Sequence, residues 1–303
     1  MPITSSRIAR QILSLTPHNG HIPSGLDGVT LMRANATVAP TPVLQEPTIV
    51  IMGQGLKRGY LGDEVFHYQP GQYLIVAVPM HFNCDTVVCG DGPMLALAVR
   101  VDMSTISELL SKMNLSTMPG IDAPKRGMVV ADLDDAMNDT VYRLLQALAS
   151  PDEVRVLGPQ LVRELHYRVL QGAGGECLRA LLAWHGRYGS IYRACEHIRV
   201  NYSQDLDIAT LAREAAMSPS VFHQSFKTVT GNSPIQYLKA IRLHRARELI
   251  LYAGKGVAQA AYAVGYVSAS QFSREFKRLF AYSPTEATCH IGEHAAVHLL
   301  SPG

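Results

Sequence analysis

The sequence predicts an α+β protein with a β-rich N-terminal region, flanking helices and a C-terminal all-α domain of two helix-turn-helix units joined by a long helix. Short β-prone runs separated by Gly and Pro occupy the N-terminal third. Apolar residues at helical spacing follow them, and residues 217–234 are then repeated by residues 267–284. With 303 residues, 47% of them hydrophobic, the chain can bury a substantial core and is expected to form two domains.

The strand predictions rest on five β-rich runs between about Pro42 and Val101, at residues 48–52, 64–68, 73–78, 86–89 and 95–101. Turn signals such as Pro70-Gly71 separate these runs. Short strands between turns are typical of an antiparallel sandwich or barrel. The barrel is expected over about residues 30–102.

Helices are predicted over about residues 103–199. The 3-4 spacing is clearest at Val141, Leu144, Leu145 and Leu148, and at Leu161, Leu165 and Val169-Leu170. The stretch around Gly172-Ala-Gly-Gly-Glu is predicted to be a loop, and Val200–Asp205 is the expected interdomain linker. From the residues alone, these helices can either pack against their own barrel or form a dimer.

The repeat at an offset of 50 residues is the most specific pattern in the chain. Seven residues recur in order, namely Ser218, Ser220, Phe222, Phe226, Lys227, Ser233 and Pro234 as Ser268, Ser270, Phe272, Phe276, Lys277, Ser283 and Pro284. Phe residues four apart lie on one helix face and pack inward. An Ala-rich segment and a short turn precede each copy, and Gly265 suits the second turn. Each copy is therefore predicted to be a helix-turn-helix unit.

In order and spacing, residues 205–288 resemble the AraC/XylS family of transcription regulators. The resemblance covers the first repeat, a joining helix around Ile235–Leu251 and the second repeat. Further upstream, Glu46-Pro47, Gln54-Gly55-x-Lys57 and the glycines and tyrosines of residues 62–74 look like the sensor region of one AraC-type subfamily. This second resemblance implies a cupin-like small β-barrel. Together they imply a ligand-sensing and dimerisation domain at 1–200, a DNA-binding domain at 201–290 and a C-terminal tail at 291–303.

Three positions depart from the family pattern. In each unit, the second helix is the one expected to enter the DNA groove, and it is called the reading helix. Gln224 stands where the family usually has Arg in the first reading helix. This changes the expected target, because Arg prefers guanine edges and Gln prefers adenine. Ala281 replaces a Gly after the second reading helix, so that helix either ends in a strained conformation, at a cost of about 1 kcal/mol, or ends differently. Ala287-Thr288 replaces the closing Tyr-Arg.

The resemblance assigns the DNA-contacting residues. Base-facing positions would be Ser220, His223 and Gln224 in the first unit and Ser270, Gln271 and Arg274 in the second. Phosphate contacts would come from Lys227, Ser273 and Lys277. Ser220 and Ser270 could instead be helix-start residues. The two reading helices are expected about one DNA turn apart, roughly 34 Å.

Charge is distributed unevenly along the chain. The formal net charge is +2, yet residues from Ser203 to His290 carry ten basic and six acidic side chains, a net +4, and the remainder carries −2. A positive balance suits a surface that binds phosphate. An ordinary solvated helical surface would look the same by charge alone.

Other chemistry finds little support in the sequence. His67 and His81 lack the spacing of a metal site with a following Glu, and no metal or other cofactor is expected. Cys84 and Cys89 are interpreted as buried inert residues, with reactive thiols as the alternative. The five cysteines are odd in number and predict no disulfide framework. Enzyme motifs are not evident, so the protein is not expected to be an enzyme.

The expected effector is a small organic molecule in the barrel interior. Tyr68 and Tyr73 are its candidate contacts, and Tyr73 is the one expected to face the cavity; plain core packing of both rings is the alternative. Expected partners are double-stranded DNA, RNA polymerase and a second copy of the chain. Without a membrane-length apolar stretch or a secretion signal, the protein is expected in the cytoplasm. The competing functions are a sensor acting through protein contacts and a cupin enzyme fused to a DNA-binding module.

Overall fold

The computed structural model describes residues 7–90, 92–113, 126–182 and 187–290, so the predicted tail at 291–303 lies outside the described residues. Ten strands are found in the described residues, and all of them lie in the N-terminal region. Their bounds are β1 Gly20–Pro23, β2 Val29–Ala34, β3 Val38–Gln45, β4 Thr48–Gln54, β5 Leu56–Leu61, β6 Glu64–Tyr68, β7 Gln72–Val76, β8 Met80–Val87, β9 Met94–Arg100 and β10 Met128–Asp132.

The strands form two antiparallel sheets that face each other. One sheet has the order β1-β2-β9-β4-β7-β10 and the other the order β3-β8-β5-β6. Successive side chains of each strand point to opposite faces of its sheet. Both faces of β4 and β9 are buried, because helices pack against the outer face of the six-stranded sheet. Val50 and Leu74 of the first sheet meet Phe82 of the second around a common interior. The β-rich N-terminal region and the α-helical C-terminal domain of the predicted α+β class are confirmed.

The β-structure extends further than the expected range of 30–102. β1 begins at Gly20, and β10 lies inside the range predicted to be helical. β10 forms because Met128–Asp132 pairs with β7 along its whole length and completes the edge of the six-stranded sheet. A strand of five residues with a distant partner gives only a weak local signal.

Helices flank the sheets, and the predicted apolar faces are buried. Their bounds are α1 Arg7–Leu15, α2 Met103–Lys112, α3 Asp135–Ala147, α4 Pro151–Val156, α5 Gly158–Gln171, α6 Glu176–Leu182 and α7 Arg187–Asn201. Val141, Leu144 and Leu145 on α3 are fully buried, as are Leu165 and Val169 on α5. The predicted loop after α5 contains a 3-10 turn at Ala173–Gly175.

Five further helices make up the two helix-turn-helix units and the helix that joins them. They are α8 Ile208–Glu214, α9 Pro219–Thr230, α10 Pro234–Leu251, α11 Val257–Ala263 and α12 Ala269–Phe280. α10 begins with a capping box, in which the Ser233 side chain accepts from the Gln236 N–H and the Gln236 side chain accepts from the Ser233 N–H. We call α9 and α12 the reading helices below.

The hydrophobic cores do not divide where the domains were expected to. Leu211, Phe222, Phe226 and Tyr237 of the first unit belong to the same buried cluster as the N-terminal region. The second unit has a cluster of its own, from Leu243 to Ala287. α7 also continues to Asn201, past the start of the expected linker. The division between the two cores therefore falls within α10, and the first unit is packed into the N-terminal region.

Candidate nucleic-acid interface

The first reading helix buries its phenylalanines and exposes its polar face. Ser218 caps α9, because its side chain accepts from the Val221 N–H. Phe222 and Phe226 are fully buried, with ring centroids 5.6 Å apart. The opposite face leaves the predicted contact residues exposed, namely Ser220, His223, Gln224 and Lys227. Four polar side chains thus share one solvent-facing surface.

The second reading helix repeats this arrangement. Ser268 caps α12 by accepting from the Gln271 N–H, and Phe272 and Phe276 are fully buried. Of the predicted contact residues, Ser270, Arg274 and Lys277 are exposed, and Gln271 and Ser273 are half-buried. The structure therefore brings the predicted residues of each unit together on one helix face.

The hydroxyl groups at the helix starts have distinct roles. Ser218 and Ser268 are the N-cap residues, whereas Ser220 and Ser270 lie in the first turn of each helix. The two hydroxyls of each pair are close, at 3.3 Å in α9 and 2.9 Å in α12. Ser220 and Ser270 thus lie at the helix starts, and the N-cap hydrogen bonds come from the serines two positions earlier.

Two of the predicted DNA contacts in α12 are already hydrogen-bonded. The Gln271 amide donates to Glu275 at 3.2 Å, and the Ser273 hydroxyl donates to the Ala269 carbonyl at 2.9 Å. Lys239 and Tyr266 also donate to Glu275. Burial raises the pKa of Glu275, but these hydrogen bonds together hold it below its usual value. Gln271 would have to leave this carboxylate to reach a base, whereas Arg274 is exposed.

The turn of the second unit needs the glycine that we singled out. Gly265 has a φ of +89°, and a Cβ there would lie 2.4 Å from the Ser203 carbonyl oxygen. In the first unit, Ala216 adopts a positive φ of 54°. Both turns therefore use the left-handed region, and at Gly265 the backbone of another segment also leaves no room for a Cβ.

The ends of the two reading helices differ in chemistry and share one conformation. α9 ends at Gly231 with a φ of +73°, and α12 ends at Ala281 with a φ of +67°. Ala281 therefore takes the left-handed conformation that suits glycine, the first of our two alternatives.

The joining helix fixes the segment that leads into the first unit. Arg242 donates through Nε to the Tyr202 carbonyl at 2.7 Å and through Nη2 to the Gln204 carbonyl at 2.8 Å. On the same helix, Arg247 is 1% exposed and its guanidinium lies 5.1 Å from the Phe280 ring centroid. Burial lowers the pKa of Arg247. The cation–π contact ties α10 to the end of α12.

The first unit and α10 dock on one end of the sandwich. The Tyr237 hydroxyl donates to the Pro79 carbonyl at 2.9 Å, and the Asn232 amide donates to the His81 carbonyl at 3.0 Å. His81 Nδ1 lies 3.1 Å from His244 Nε2 and 3.2 Å from the Val43 carbonyl. Removal from solvent lowers the pKa of His81 to about 4, so its ring is neutral at pH 7.

The interior of the sandwich holds one of the two candidate tyrosines. Tyr68 lines a cavity of about 20 Å³ between the sheets. Tyr73 is buried on the other face of its sheet, with its hydroxyl beside Gly174, and burial raises its pKa to about 12. Our expectation that Tyr73 faces the cavity is therefore wrong. The phase of β7 is set by its pairing with β4, where Tyr73 lies opposite Ile51, and no sequence pattern fixes that register.

The cysteine and histidine side chains singled out in the sequence differ in exposure. Cys84 is buried as expected, whereas Cys89 is exposed, so the interpretation of Cys89 as buried is wrong. His67 is exposed on β6. In the described ranges, no group of three or more His, Cys, Asp and Glu side chains is placed to hold a metal ion. Over the same ranges, no helix is long and apolar enough to cross a membrane.

Two family models match the chain. The model described as AraC-type transcriptional regulator N-terminus matches residues 25–177, and a helix-turn-helix domain model matches residues 211–288. The transcriptional activator RhaS of Yersinia pestis (strain Pestoides F) is 33% identical over 98 residues, which cover 32% of this chain. The chain matches only 36% of the length of that relative.

Solved structures share the fold over most of the chain at low sequence identity. ToxT from Vibrio cholerae strain SCE256, bound to an unsaturated fatty acid, has a TM-score of 0.59 at 14% identity and covers 86% of this chain and 94% of its own. ToxT from Vibrio cholerae O395 has a TM-score of 0.56 at 12% identity and covers 86% of this chain and 96% of its own. At such identities the likeness concerns the fold.

Proposed function

The chain belongs to the AraC-type transcriptional regulators, and we propose that it binds specific double-stranded DNA through the exposed faces of α9 and α12. The observation that carries the proposal is the pairing of two capped helices. Each buries a pair of phenylalanines and presents polar and basic side chains to solvent. A helix of this kind can enter the major groove, where side chains read the base edges. The two helices are joined by α10, which suits two adjacent grooves on one face of a duplex.

Individual residues would make different kinds of contact. Arg274 would read a base edge, with Ser220, His223, Gln224, Ser270 and Gln271 as the other base-facing side chains. Lys227, Ser273 and Lys277 would bind phosphates and contribute affinity without sequence preference.

Two substitutions test this assignment in the full-length protein. Arg274→Ala should weaken binding to the operator by about 1–3 kcal/mol and relax sequence preference, because a bidentate base contact is lost. Lys277→Ala should weaken binding to operator and random DNA alike and reduce the salt slope by about one unit. Lys112→Ala, on α2 of the N-terminal region, is the charge-matched control. The operator would first be selected from genomic fragments by the parent protein, and binding measured by fluorescence anisotropy at several salt concentrations.

The same measurements distinguish DNA binding from the alternative function, a sensor that acts through protein contacts. If the parent protein bound no genomic fragment better than random DNA, it would act as a sensor through protein contacts rather than by DNA reading. Equal losses on operator and random DNA for Arg274→Ala would place this residue among the phosphate contacts.

We further propose that a small organic molecule controls the DNA-binding state from the interior of the sandwich. Support comes from the similarity to a solved ToxT that carries an unsaturated fatty acid. The cavity of about 20 Å³ has room for roughly one water molecule, so an organic effector requires the interior side chains to move apart. Such an effector acts by binding two conformations with different affinity.

We propose RNA polymerase and a second copy of the chain as further partners, and the cytoplasm as the location. A regulator that activates transcription contacts RNA polymerase, and it acts in the compartment that holds the chromosome, here the cytoplasm. A homodimer would double the number of reading helices on a palindromic or repeated operator. The proposal includes no catalytic activity. Size-exclusion chromatography with light scattering would test the dimer.

A further inference from the structure

Lys57 places an amine inside the β-sandwich. It belongs to the Gln54-Gly55-x-Lys57 pattern, to which the DNA-binding function gives no role. Burial alternates along β5, so that Lys57 faces inward and is 6% exposed while Arg58 faces outward. Arg58 is paired with Asp85 at 2.7 Å on the adjacent strand. Two neighbouring basic residues thus have different surroundings, one with an acidic partner and one in the interior.

The cavity around Lys57 is lined without a carboxylate. Its described lining consists of His21, Met32, Val43, Gln45, Val50, Lys57, Tyr68, Leu74, Phe82, Cys84 and Thr86. The polar atom placed against Lys57 Nζ is Cys84 Sγ, at 3.9 Å. Asp85 follows Cys84 in the sequence. Its carboxylate accepts hydrogen bonds from Arg58 and from the Tyr60 hydroxyl, the latter at 2.8 Å. Asp85 is thus paired with two residues that are not among those lining the cavity.

An ammonium group in such a place is destabilising unless a negative group pairs with it. The cavity has room for about one water molecule, so a carboxylate or another small anion beside Lys57 also requires the neighbouring side chains to move apart. The Tyr68 hydroxyl, 4.0 Å from Cys84 Sγ, brings a second hydrogen-bonding group to the same spot. Apolar side chains surround these polar groups, and their low dielectric strengthens any charge pairing inside.

We propose that the interior of the sandwich is an anion-binding subsite in which Lys57 pairs with a carboxylate or a similar monoanionic group. The group is either a free small anion or the acidic head of an organic molecule. In the second case the inference rests on the proposed control by an effector and gives that effector an acidic head.

Binding of simple acids to the full-length protein tests the subsite. Sodium formate stands for a free anion, and sodium hexanoate and dodecanoate carry the same head on longer chains. Sodium chloride at equal ionic strength and the alcohols 1-hexanol and 1-dodecanol are the controls for salt and for apolar binding. We expect at least one acid to raise the midpoint of thermal unfolding in a saturable way, because a ligand of the folded state stabilises it. The matching alcohol should have no comparable effect.

Variants connect the response to Lys57. Lys57→Met keeps a long side chain and removes the charge, and it should weaken the acid's affinity about 10- to 150-fold, as expected for the loss of a hydrogen bond to a charged group. Lys112→Met, at an exposed position, should leave the affinity unchanged. Far-ultraviolet circular dichroism verifies that each variant is folded.

The outcomes distinguish a free anion from the acidic head of an organic molecule, and they show which results would overturn the proposal. Saturable binding of formate assigns the subsite to a free anion, and binding of only the longer acids assigns it to the head of an organic molecule. An equal response in Lys57→Met, equal effects of acid and alcohol, or no response to any of the three acids would overturn the proposal. Binding in Cys84→Ser but not in the parent would overturn it too, since the Cys84 side chain would then occupy Lys57 in the native protein.

The same protein samples separate this inference from the proposed function. If an acid binds at Lys57 and operator affinity does not change, the subsite stands and control of DNA binding by its ligand fails. If the parent protein reads DNA and no acid binds, the DNA-binding function stands and the anion subsite fails.

Discussion

The chemistry at the ends of the two reading helices predicts opposite effects of a single methyl group. Gly231 and Ala281 have nearly the same left-handed conformation, with φ of +73° and +67°. That conformation costs an alanine roughly 1–2 kcal/mol, and a glycine costs about 0.5–1 kcal/mol through its freedom in the unfolded chain. Ala281→Gly should therefore stabilise the protein by about 0.5–1 kcal/mol.

Gly231→Ala should destabilise by more than the reverse of that change. Its Cβ would lie 2.3 Å from Leu61 Cδ1 and 2.4 Å from Leu61 Cγ, so α9 and β5 would have to move apart. Adding about 1–3 kcal/mol for such overpacking to the backbone strain gives a loss of at least about 2 kcal/mol. Gly254→Ala is the matched control, because Gly254 has a φ of +62° and open space where its Cβ would stand.

Thermal unfolding of the full-length variants, followed by circular dichroism, measures all three effects. We expect Ala281→Gly to raise the midpoint by about 1–3 °C, Gly254→Ala to lower it by a similar amount and Gly231→Ala to lower it by more than about 4 °C. If Gly231→Ala were no worse than Gly254→Ala, the contact between α9 and Leu61 would not exist in solution. A lower midpoint for Ala281→Gly would refute the account of how α12 ends.

Two further predictions concern the histidines and the thiols. The pKa of His81 is lowered from 6.5 to about 4, so between these pH values the unfolded chain takes up a proton that the folded chain does not. The contribution of His81 to the free energy of unfolding should therefore be fully present above pH 6.5, and this free energy should fall by at most about 3 kcal/mol towards pH 4. In urea titrations at several pH values, His81→Gln should flatten this dependence and His67→Gln, at an exposed position, should not; identical curves for His81→Gln and the parent would contradict the assignment. A thiol reagent should label Cys89 and Cys289 rapidly in the native protein and reach Cys84, Cys177 and Cys195 only after unfolding, and rapid labelling of all five would mean that the described core is open.

Local patterns were enough to predict the C-terminal domain. The paired phenylalanines, the capping serines and Gly265 lie within a few residues of the features they determine, so each helix, turn and exposed face could be placed from the chain itself. The predicted DNA-contacting residues of α9 and α12 accordingly share one face in the structure. The spacing of four residues allows Gln271 to bond Glu275 on one helix face. What could not be seen is that Lys239 and Tyr266, from other elements, bond the same carboxylate.

The N-terminal region was harder to predict because its features depend on pairing between distant strands. β3 contains Pro40 and Pro42, which usually argue against a strand, yet it forms at the edge of the four-stranded sheet. The inward position of Lys57 runs against the rule that charged residues face solvent. The docking contact between His81 and His244 joins residues 163 apart, and no spacing rule reaches that far.

Strand β8 links the interior cavity to α10, and this link limits which substitutions can alter one without the other. Its inward side chains, Phe82 and Cys84, form part of the cavity, and on the same strand His81 contacts His244 in α10. A substitution that reshapes the cavity from β8 should therefore also affect the contact between β8 and α10, the helix that joins the two helix-turn-helix units. Val50 lines the same cavity from β4, against which α1 packs. If the proposed effector binds in this cavity, changes at Val50 should alter ligand preference with least effect on α10, and changes at Phe82 should alter ligand preference and DNA binding together.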